Sequence, residues 1–287
     1  GKFHFDWNGN LVVDANSDVS VEIVWSSSDK INGFILTDGF GNKYKFLSVE
    51  SSYTVAGDFA FCLSPSQNFI SAWHLTEISN YDDSRKIFFE YENYTLEDFE
   101  IFRSTMKRYR ITNSPYCNNN PVFETVLRGS TLKYTGLRLK RIYNNIDPSE
   151  VNFIPGALRT DLNGVDLFTL KDIIINNGYS DIDKYTFAHN YNTGRLTLST
   201  IEKGLNNAET LKTKFHYSGA LPARDSKEQD HWGYKNINPT NDLFEPHQVT
   251  FASGGTYSAT QTFGNGNRSP DFEGSKLGVL YKIEHPT

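Results

Sequence analysis

The sequence predicts an all-β protein built from antiparallel hairpins in an extended or stacked sheet, with very little helix. Three observations support this fold class. Apolar and polar residues alternate with period two over many short segments. The breaks between these segments fall on Asn, Gly and Asp, which tight turns favour. The chain also has 21 Phe and 16 Tyr against a single Met, and aromatic side chains suit a half-buried pleated surface.

The stretch 170–217 shows the alternation most clearly. Its polar breaks at 176–178 and 192–194 each end in glycine, as expected for turns between strands. The predicted strands in this stretch are Leu170–Ile173, Tyr185–Phe187, Arg195–Ile201 and Phe215–Tyr217.

The N-terminal half continues the same pattern. Residues 2–13 form a predicted hairpin whose turn is Asn8-Gly9, a strong signal because both residues tolerate positive φ. Asp147-Pro-Ser-Glu150 has the order of an N-cap, a first-turn proline and a glutamate, which predicts a short helical turn. The other predicted elements are a strand at 19–25, a hairpin turning at 38–42, a strand pair at 73–78 and 87–91, and a longer strand at 99–111.

A short pattern, Leu-x-x-Ile, recurs along the chain and suggests a repeated two-strand unit. Several copies are followed by a strand with two aromatic residues two positions apart. Residues three apart in a regular strand point to opposite faces, so either both faces are covered or a β-bulge intervenes. The five copies are Leu75/Ile78, Leu139/Ile142, Leu170/Ile173, Leu198/Ile201 and Leu280/Ile283.

The domain organisation follows from one conspicuous break. Residues 113–121 cluster Asn and Pro, which predicts a linker loop. The expected organisation is therefore an N-terminal β module at 1–112, a linker at 113–121, and a second β module with repeat-like hairpins at 122–287.

Composition and charge narrow the classes of partner. The formal charge of −6 and the pI near 5.7 do not predict nucleic-acid binding. No apolar run is long enough to predict a membrane span. Cys62 and Cys117 are too few to define a disulfide framework, and their redox state stays open. Because the chain opens and closes close to predicted strands, we expect it to be a piece of a longer protein.

The sequence predicts no catalytic residue, metal site or cofactor. Its seven histidines lack zinc-binding spacing, and the Gly-x-Ser-x-Gly turn of hydrolases is missing. Asp161, Asn163 and Asp166 alternate as some calcium ligands do, but the remaining ligand positions are lacking, so a solvated turn is the preferred interpretation.

Several ordered motifs resemble one known family. Tyr191-Asn-Thr-Gly-Arg-Leu196 resembles the YD repeat, whose core is Tyr-Asp-x-x-Gly-Arg-Leu, with Asn192 in the aspartate position and a spacing one residue shorter. Downstream segments follow the order seen just before the repeats in large YD-repeat (Rhs-like) proteins of Bacteroidetes. The matching segments are Leu221-Pro222, Asp225-Ser226, Gln229–Asn236, Asn267–Pro270 and Gly278–Thr287, together with Gly1–Asp6, Gly33–Asp38, Lys43–Phe46 and Ser71–Ile78 nearer the N-terminus.

This resemblance spans nearly the whole chain and implies a function without catalysis. It implies an exported, cell-surface or secreted protein in which this region is a structural scaffold leading into a repeat array. The implied partner is the remainder of its own longer chain, meaning the repeat array and a C-terminal region. In relatives, such a sheet winds into a hollow shell.

Asp230-His-Trp-Gly-Tyr234 is the most specific of these motifs and the one candidate binding site. In the structural interpretation, Asp230 accepts backbone hydrogen bonds and Trp232 is buried as an anchor. In the functional interpretation, Trp232 and Tyr234 are a sugar-stacking platform. A carbohydrate-binding module is therefore the first alternative function. A glycoside hydrolase is the second, because carboxylates are abundant.

Overall fold

A computed structural model describes most of the chain and confirms the all-β, antiparallel fold class. The described residues are 3–13, 18–26, 30–56, 67–110, 122–162, 164–204, 210–222, 226–238, 245–253 and 257–286. The one helix found in these ranges spans four residues, and no helix there is long and apolar enough to cross a membrane.

Strands of very different length make up the described secondary structure. They are β1 (Phe3–Phe5), β2 (Leu11–Val13), β3 (Val19–Trp25), β4 (Ile31–Asp38), β5 (Lys43–Ala56), β6 (Gln67–Ser79), β7 (Lys86–Arg110), β8 (Val122–Asn144), β9 (Glu150–Leu158), β10 (Gly164–Val165), β11 (Phe168–Asn176), β12 (Asp181–Asn190), β13 (Thr197–Lys203), β14 (Leu211–Tyr217), β15 (His247–Ser253), β16 (Tyr257–Phe263), helix α1 (Phe272–Ser275) and β17 (Leu280–Glu284).

Thirteen of the described strands belong to one antiparallel sheet, while β1–β2 and β15–β16 are separate hairpins. The chain divides into two compact units, an N-terminal unit (Gly1–Lys184) and a C-terminal unit (Tyr185–Thr287). In the N-terminal unit the strand order is β3-β4-β5-β6-β7-β8-β9-β11, with β10 added to β7. In the C-terminal unit the order is β12-β13-β14-β17.

Four long strands of the N-terminal unit close into a ring of hydrogen-bonded neighbours. Strand β5 pairs with β6, β6 with β7, and β7 with β8. The ring closes because the second half of β5, from Ser51 to Ala56, pairs with Thr135 to Ser130 of β8. Ring closure leaves these strands fewer unpaired edges than an open sheet would.

Every Leu-x-x-Ile copy contains a β-bulge directly after the leucine, which confirms one of the two expectations. In each copy the ladder skips one residue, so leucine and isoleucine face residues two apart on the partner strand. The skipped residues are Thr76, Lys140, Lys171, Ser199 and Tyr281.

The residue opposite each isoleucine is aromatic. The five pairs are Ile78 with Tyr44, Ile142 with Phe89, Ile173 with Phe153, Ile201 with Phe187 and Ile283 with Phe215. The bulge therefore brings both apolar residues of the pattern to one face, with the isoleucine opposite an aromatic residue of the partner strand. We call this pairing of an aromatic strand with a bulged strand the bulged unit. It occurs as β5–β6, β7–β8, β9–β11, β12–β13 and β14–β17.

The predicted strands and hairpins are found where the sequence placed them, with two differences in the local structure. Residues 95–98, ahead of the predicted strand at 99–111, are also part of β7. The short helix predicted after Asp147 is wrong, because Asp147 Oδ1 instead accepts the Ser149 N–H at 2.8 Å and β9 begins at Glu150.

The predicted linker at 113–121 lies outside the described residues, so the predicted domain boundary stays a prediction. The strands on either side of it, β7 and β8, are the two arms of one hairpin. Cys62 and Cys117 also lie outside the described residues.

The stacked arrangement, one of the two predicted for the sheet, would bury aromatic rings between its layers, whereas the described aromatic side chains other than Phe34 are half-buried or exposed. Phe34 is the one hydrophobic residue among the described side chains that is buried, and the centroids of its ring and the Trp73 ring are 5.1 Å apart. Other rings pair along the surface of a single sheet, as Phe88 and Tyr143 do at 5.1 Å. These contacts join neighbouring strands rather than separate layers.

Candidate functional site

The segment around Asp230 forms a tight corner in the C-terminal unit. Gln229 and Lys235 form an isolated antiparallel bridge, and the Asp230 N–H donates to the Tyr234 carbonyl at 2.8 Å. The Gly233 N–H donates to the Asp230 carbonyl at 3.2 Å, and Gly233 has φ of +88°. Since an L side chain is strained at that angle, glycine suits this position.

The Asp230 side chain is buried and holds the corner together. Its Oδ1 accepts the backbone N–H groups of Trp232 and Tyr234, each at 2.9 Å. Arg268 adds a hydrogen bond from Nη2 to the Asp230 carbonyl at 2.6 Å. The carboxylate is therefore occupied by the fold, which limits its use as a ligand-binding group.

The aromatic residues of the corner face solvent. Trp232 is 72% exposed and Tyr234 is 59% exposed, so the expectation that Trp232 is a buried anchor is wrong. The His231 ring stands edge-on to Trp232, and its Nε2 lies 3.1 Å from Glu245 Oε1. Rings held on a rigid backbone beside polar groups can stack on a ligand. A binding role for Asp230, Trp232 and Tyr234 stays a prediction.

Neighbouring segments of the same unit contact the residues that follow the corner. Asn236 is buried, and its Nδ2 donates to the Asn267 carbonyl at 2.5 Å. Gly274, in α1, approaches so closely that a Cβ atom there would clash with the Lys235 carbonyl oxygen. This close contact leaves no room for a larger residue at position 274.

The same Asp-x-x-Gly turn occurs in two hairpins of the N-terminal unit. Asp38 accepts the backbone N–H groups of Phe40 and Asn42, both at 2.9 Å, and Gly41 has φ of +83°. The Asn42 side-chain amide also donates to Asp38, and this bond above all lowers the pKa of Asp38.

Asp6 makes the equivalent bonds to Asn8 and Asn10, and Gly9 has φ of +81°. Each turn projects an aromatic ring into solvent. Trp7 is fully exposed and Phe40 is 88% exposed. These turns form because a short carboxylate satisfies the free N–H groups while glycine takes the left-handed position.

The segment that resembles the YD repeat forms a related turn. The Gly194 N–H donates to the Tyr191 carbonyl at 2.8 Å, and Gly194 has φ of +77°. In hydrogen-bonding terms Tyr191 stands where the aspartate stands in the other turns. The side chain that caps the turn is that of Asn190, which accepts the Asn192 N–H at 3.1 Å.

A buried polar cluster lies among strands β5 to β8 of the N-terminal unit, and the sequence analysis missed it. Glu50 of β5 is 7% exposed. Its Oε1 accepts the Leu137 N–H at 2.9 Å and lies 3.2 Å from His74 Nε2. Its Oε2 accepts a hydrogen bond from the Tyr134 hydroxyl. The residues come from three strands, so no spacing in the sequence reveals the cluster.

The charges in this cluster are matched rather than free. Burial alone would raise the pKa of Glu50, but the bonds from Tyr134, Leu137 and His74 outweigh it and lower that pKa. Burial and the Glu50 carboxylate together raise the pKa of Tyr134. The Tyr94 ring completes the cluster, with its centroid 6.1 Å from that of Tyr134. This arrangement keeps Glu50 ionised and Tyr134 protonated, which suits a structural role in which the cluster holds the strands together.

The described side chains form no candidate metal-binding site. No group of three or more His, Cys, Asp or Glu that could hold an ion is found there. In the loop that resembles calcium ligands, Asn163 lies outside the described residues, and Arg159 forms two hydrogen bonds of 3.0 and 2.9 Å to Asp161.

Comparisons of the chain with protein-family models, with curated proteins and with solved structures found no match.

Proposed function

We propose that this chain is a structural β scaffold without catalytic function, and that it belongs to a large exported bacterial protein of the YD-repeat (Rhs-like) kind. Its role is to build a sheet from tandem two-strand units ahead of a repeat array. The observation that supports this proposal most directly is the bulged unit, which occurs five times with its bulge at the same position.

Tandem repetition of this kind suits a scaffold for a physical reason. Each unit exposes a half-apolar face and two edges, and it gains stability only by pairing with its neighbours. A sheet of such units grows by the addition of further units, and its assembly requires no ligand. A recurring catalytic residue is not part of the pattern, since the skipped residues include Thr, Lys, Ser and Tyr.

The turn chemistry supports the family assignment. The YD-repeat core places Gly three residues after Asp, and three turns here use that spacing with the carboxylate capping backbone N–H groups. The turn at Tyr191–Gly194 has the same glycine conformation next to Arg195 and Leu196. The proposal explains these as one turn type used throughout a repeat protein.

The family proposal is tested by the natural gene and by the location of its product. We expect the reading frame to continue beyond codon 287 into Tyr-Asp-x-x-Gly-Arg-Leu repeats. Protease added to intact cells should remove the protein while a cytoplasmic marker survives. A reading frame without such repeats, or a product protected inside the cell, would overturn the proposal.

The exposed rings at the Asp230 corner favour a second candidate function, carbohydrate binding. Trp232 is exposed on a backbone that hydrogen bonds hold rigid, which lowers the entropy cost of stacking on a sugar. A glycan array comparing the protein with Trp232→Ala tests this function, and Trp7→Ala is the matched control because Trp7 is an exposed tryptophan in another Asp-x-x-Gly turn. Binding lost only in Trp232→Ala would favour a carbohydrate-binding module, and an array without signals would exclude it.

A further inference from the structure

Strand β17 ends the hydrogen-bonded order of the C-terminal unit and differs from its equivalents in burial. It pairs with β14 on one side. Leu280 and Ile283, the two apolar residues of its bulged pattern, are 40% and 45% exposed. The corresponding leucine and isoleucine of the other four copies are half-buried. Within the part of the chain that the structure describes, the apolar pair of β17 therefore lacks the cover that its equivalents have.

Where the structure gives the pairing beyond a bulged strand, the next strand joins in a constant register. The second residue after the leucine lies opposite the residue just before the aromatic that faces the isoleucine of the next unit. The three pairs are Glu77 with Phe88, Arg141 with Asn152 and Thr200 with Lys214. The aromatic residues that follow are Phe89, Phe153 and Phe215.

The same register gives the charge expected opposite Glu284. Two residues further along each bulged strand, the pairs are Ser79 with Lys86, Tyr143 with Glu150 and Glu202 with Lys212. Glu202 is the equivalent of Glu284, and Lys212 is ion-paired to it. Glu284 is held ionised mainly by Lys282, with His216 and Lys214, and its pKa is lowered to about 2.

We propose that the outer edge of β17 is the binding site for the aromatic strand of a further two-strand unit. The proposal rests on the proposed function, and the occupant is the next unit of the same longer chain. The incoming strand runs antiparallel to β17 and places a lysine opposite Glu284. It also carries two aromatic residues two positions apart, and the first of them comes one residue after the residue that lies opposite Lys282. Main-chain hydrogen bonds hold it, and its rings cover Leu280 and Ile283.

The chain itself supplies a probe peptide. Residues 86–91, Lys-Ile-Phe-Phe-Glu-Tyr, pair with the edge of β6 in the register described above and have the required lysine and rings. The control peptide has the same composition with Phe89 and Glu90 exchanged, which moves one ring to the opposite face of the strand. Binding of fluorescently labelled peptides with blocked ends to the intact 287-residue chain is measured by anisotropy, at concentrations where sedimentation shows a monomer.

The peptide of residues 86–91 should bind at least about tenfold more tightly than the control peptide, because it places both Phe89 and Tyr91 on the apolar face of β17 whereas the control places only Tyr91 there. The double variant Leu280→Ser/Ile283→Ser should weaken binding by a similar factor. Ile237→Ser, which changes another exposed apolar residue of the C-terminal unit, should leave it unchanged. All these side chains are exposed, so the variants should keep the circular dichroism spectrum of the parent.

Three results would overturn the inference. They are equal binding of both peptides, binding that survives the loss of Leu280 and Ile283, or sedimentation showing that a second copy of the chain occupies β17. If the peptide fails to bind while the natural reading frame continues into YD repeats, the proposed function stands and only the role of β17 is wrong.

Discussion

At the scale of single residues, one buried carboxylate holds the Asp230 corner. Replacing Asp230 with Ala leaves the backbone N–H groups of Trp232 and Tyr234 without their acceptor. We expect a loss of about 2 kcal/mol in the free energy of unfolding, the usual cost of unsatisfied buried groups. Urea unfolding followed by circular dichroism measures it.

Asp230→Asn is the matched control for this prediction. The Asn side chain keeps an oxygen acceptor of the same reach, so this variant should retain most of the stability. A destabilisation of Asp230→Asn as large as that of Asp230→Ala would show that the negative charge, rather than the turn geometry, matters.

Glu50 predicts a dependence of stability on acid pH. Its pKa is lowered in the folded protein, so its contribution is fully present above the unfolded value of about 4.5 and is lost as pH falls through the folded pKa. Glu50→Gln should destabilise the protein by about 2 kcal/mol at neutral pH, because bonds to a charged acceptor are lost. The difference from the parent should shrink below about pH 4.5.

Unfolding free energies measured at neutral pH and in acid test this prediction. Glu22→Gln, on the exposed side of β3, is the control and should follow the parent at both values. A constant difference between Glu50→Gln and the parent across this range would contradict the assignment of Glu50 as the ionised acceptor.

At the scale of elements, the bulge determines which face each apolar residue occupies. Residues two apart in a regular strand share a face, so deleting Ser199 alone would remove the bulge and leave Leu198 and Ile201 on one face. Deleting both Ser199 and Thr200 makes the two residues adjacent, and Ile201 then points to the opposite face from Leu198. We expect a loss of about 3 kcal/mol or more, comparable to removing a large apolar side chain from a packed position. Ser199→Ala keeps the residue count and should change stability by less than about 0.5 kcal/mol. Thermal unfolding measures the loss of stability in the double-deletion variant and in Ser199→Ala, and equal losses would contradict the role of the bulge.

The strands were predictable from the sequence because their signals are local. Alternation located β3 and the Asn-Gly dipeptide located the turn at Asn8-Gly9, while the spacing of Leu and Ile left two alternatives, cover on both faces or a bulge. The Asp147 turn was not predictable, since Asp, Pro and Ser serve an N-cap and an Asx turn equally well.

Long-range features escaped the sequence analysis. The Glu50 cluster joins residues more than 80 positions apart, and the pairing of β5 with β8 that brings them together leaves no local pattern. The exposure of Trp232 was also missed, because a turn and a buried anchor use the same residue types. Composition indicates that rings are plentiful and does not indicate which side of a turn they face.

At the scale of the whole molecule, the bulged units predict that stability is local. In repeat proteins each unit contributes its own stability and that of its interfaces with neighbours, so damage spreads only a short distance. Deleting Ser199 and Thr200 alters the pairing of β12 with β13, which begins at Tyr185 and lies in the C-terminal unit of the chain, whereas the Glu50 cluster lies in the N-terminal unit. Hydrogen exchange followed by mass spectrometry should therefore show lost protection in β13 and β14 of this double deletion, with β5 to β8 unchanged. Glu50→Gln should give the reverse pattern. Loss of protection throughout the chain in either variant would show a single cooperative fold in place of tandem units.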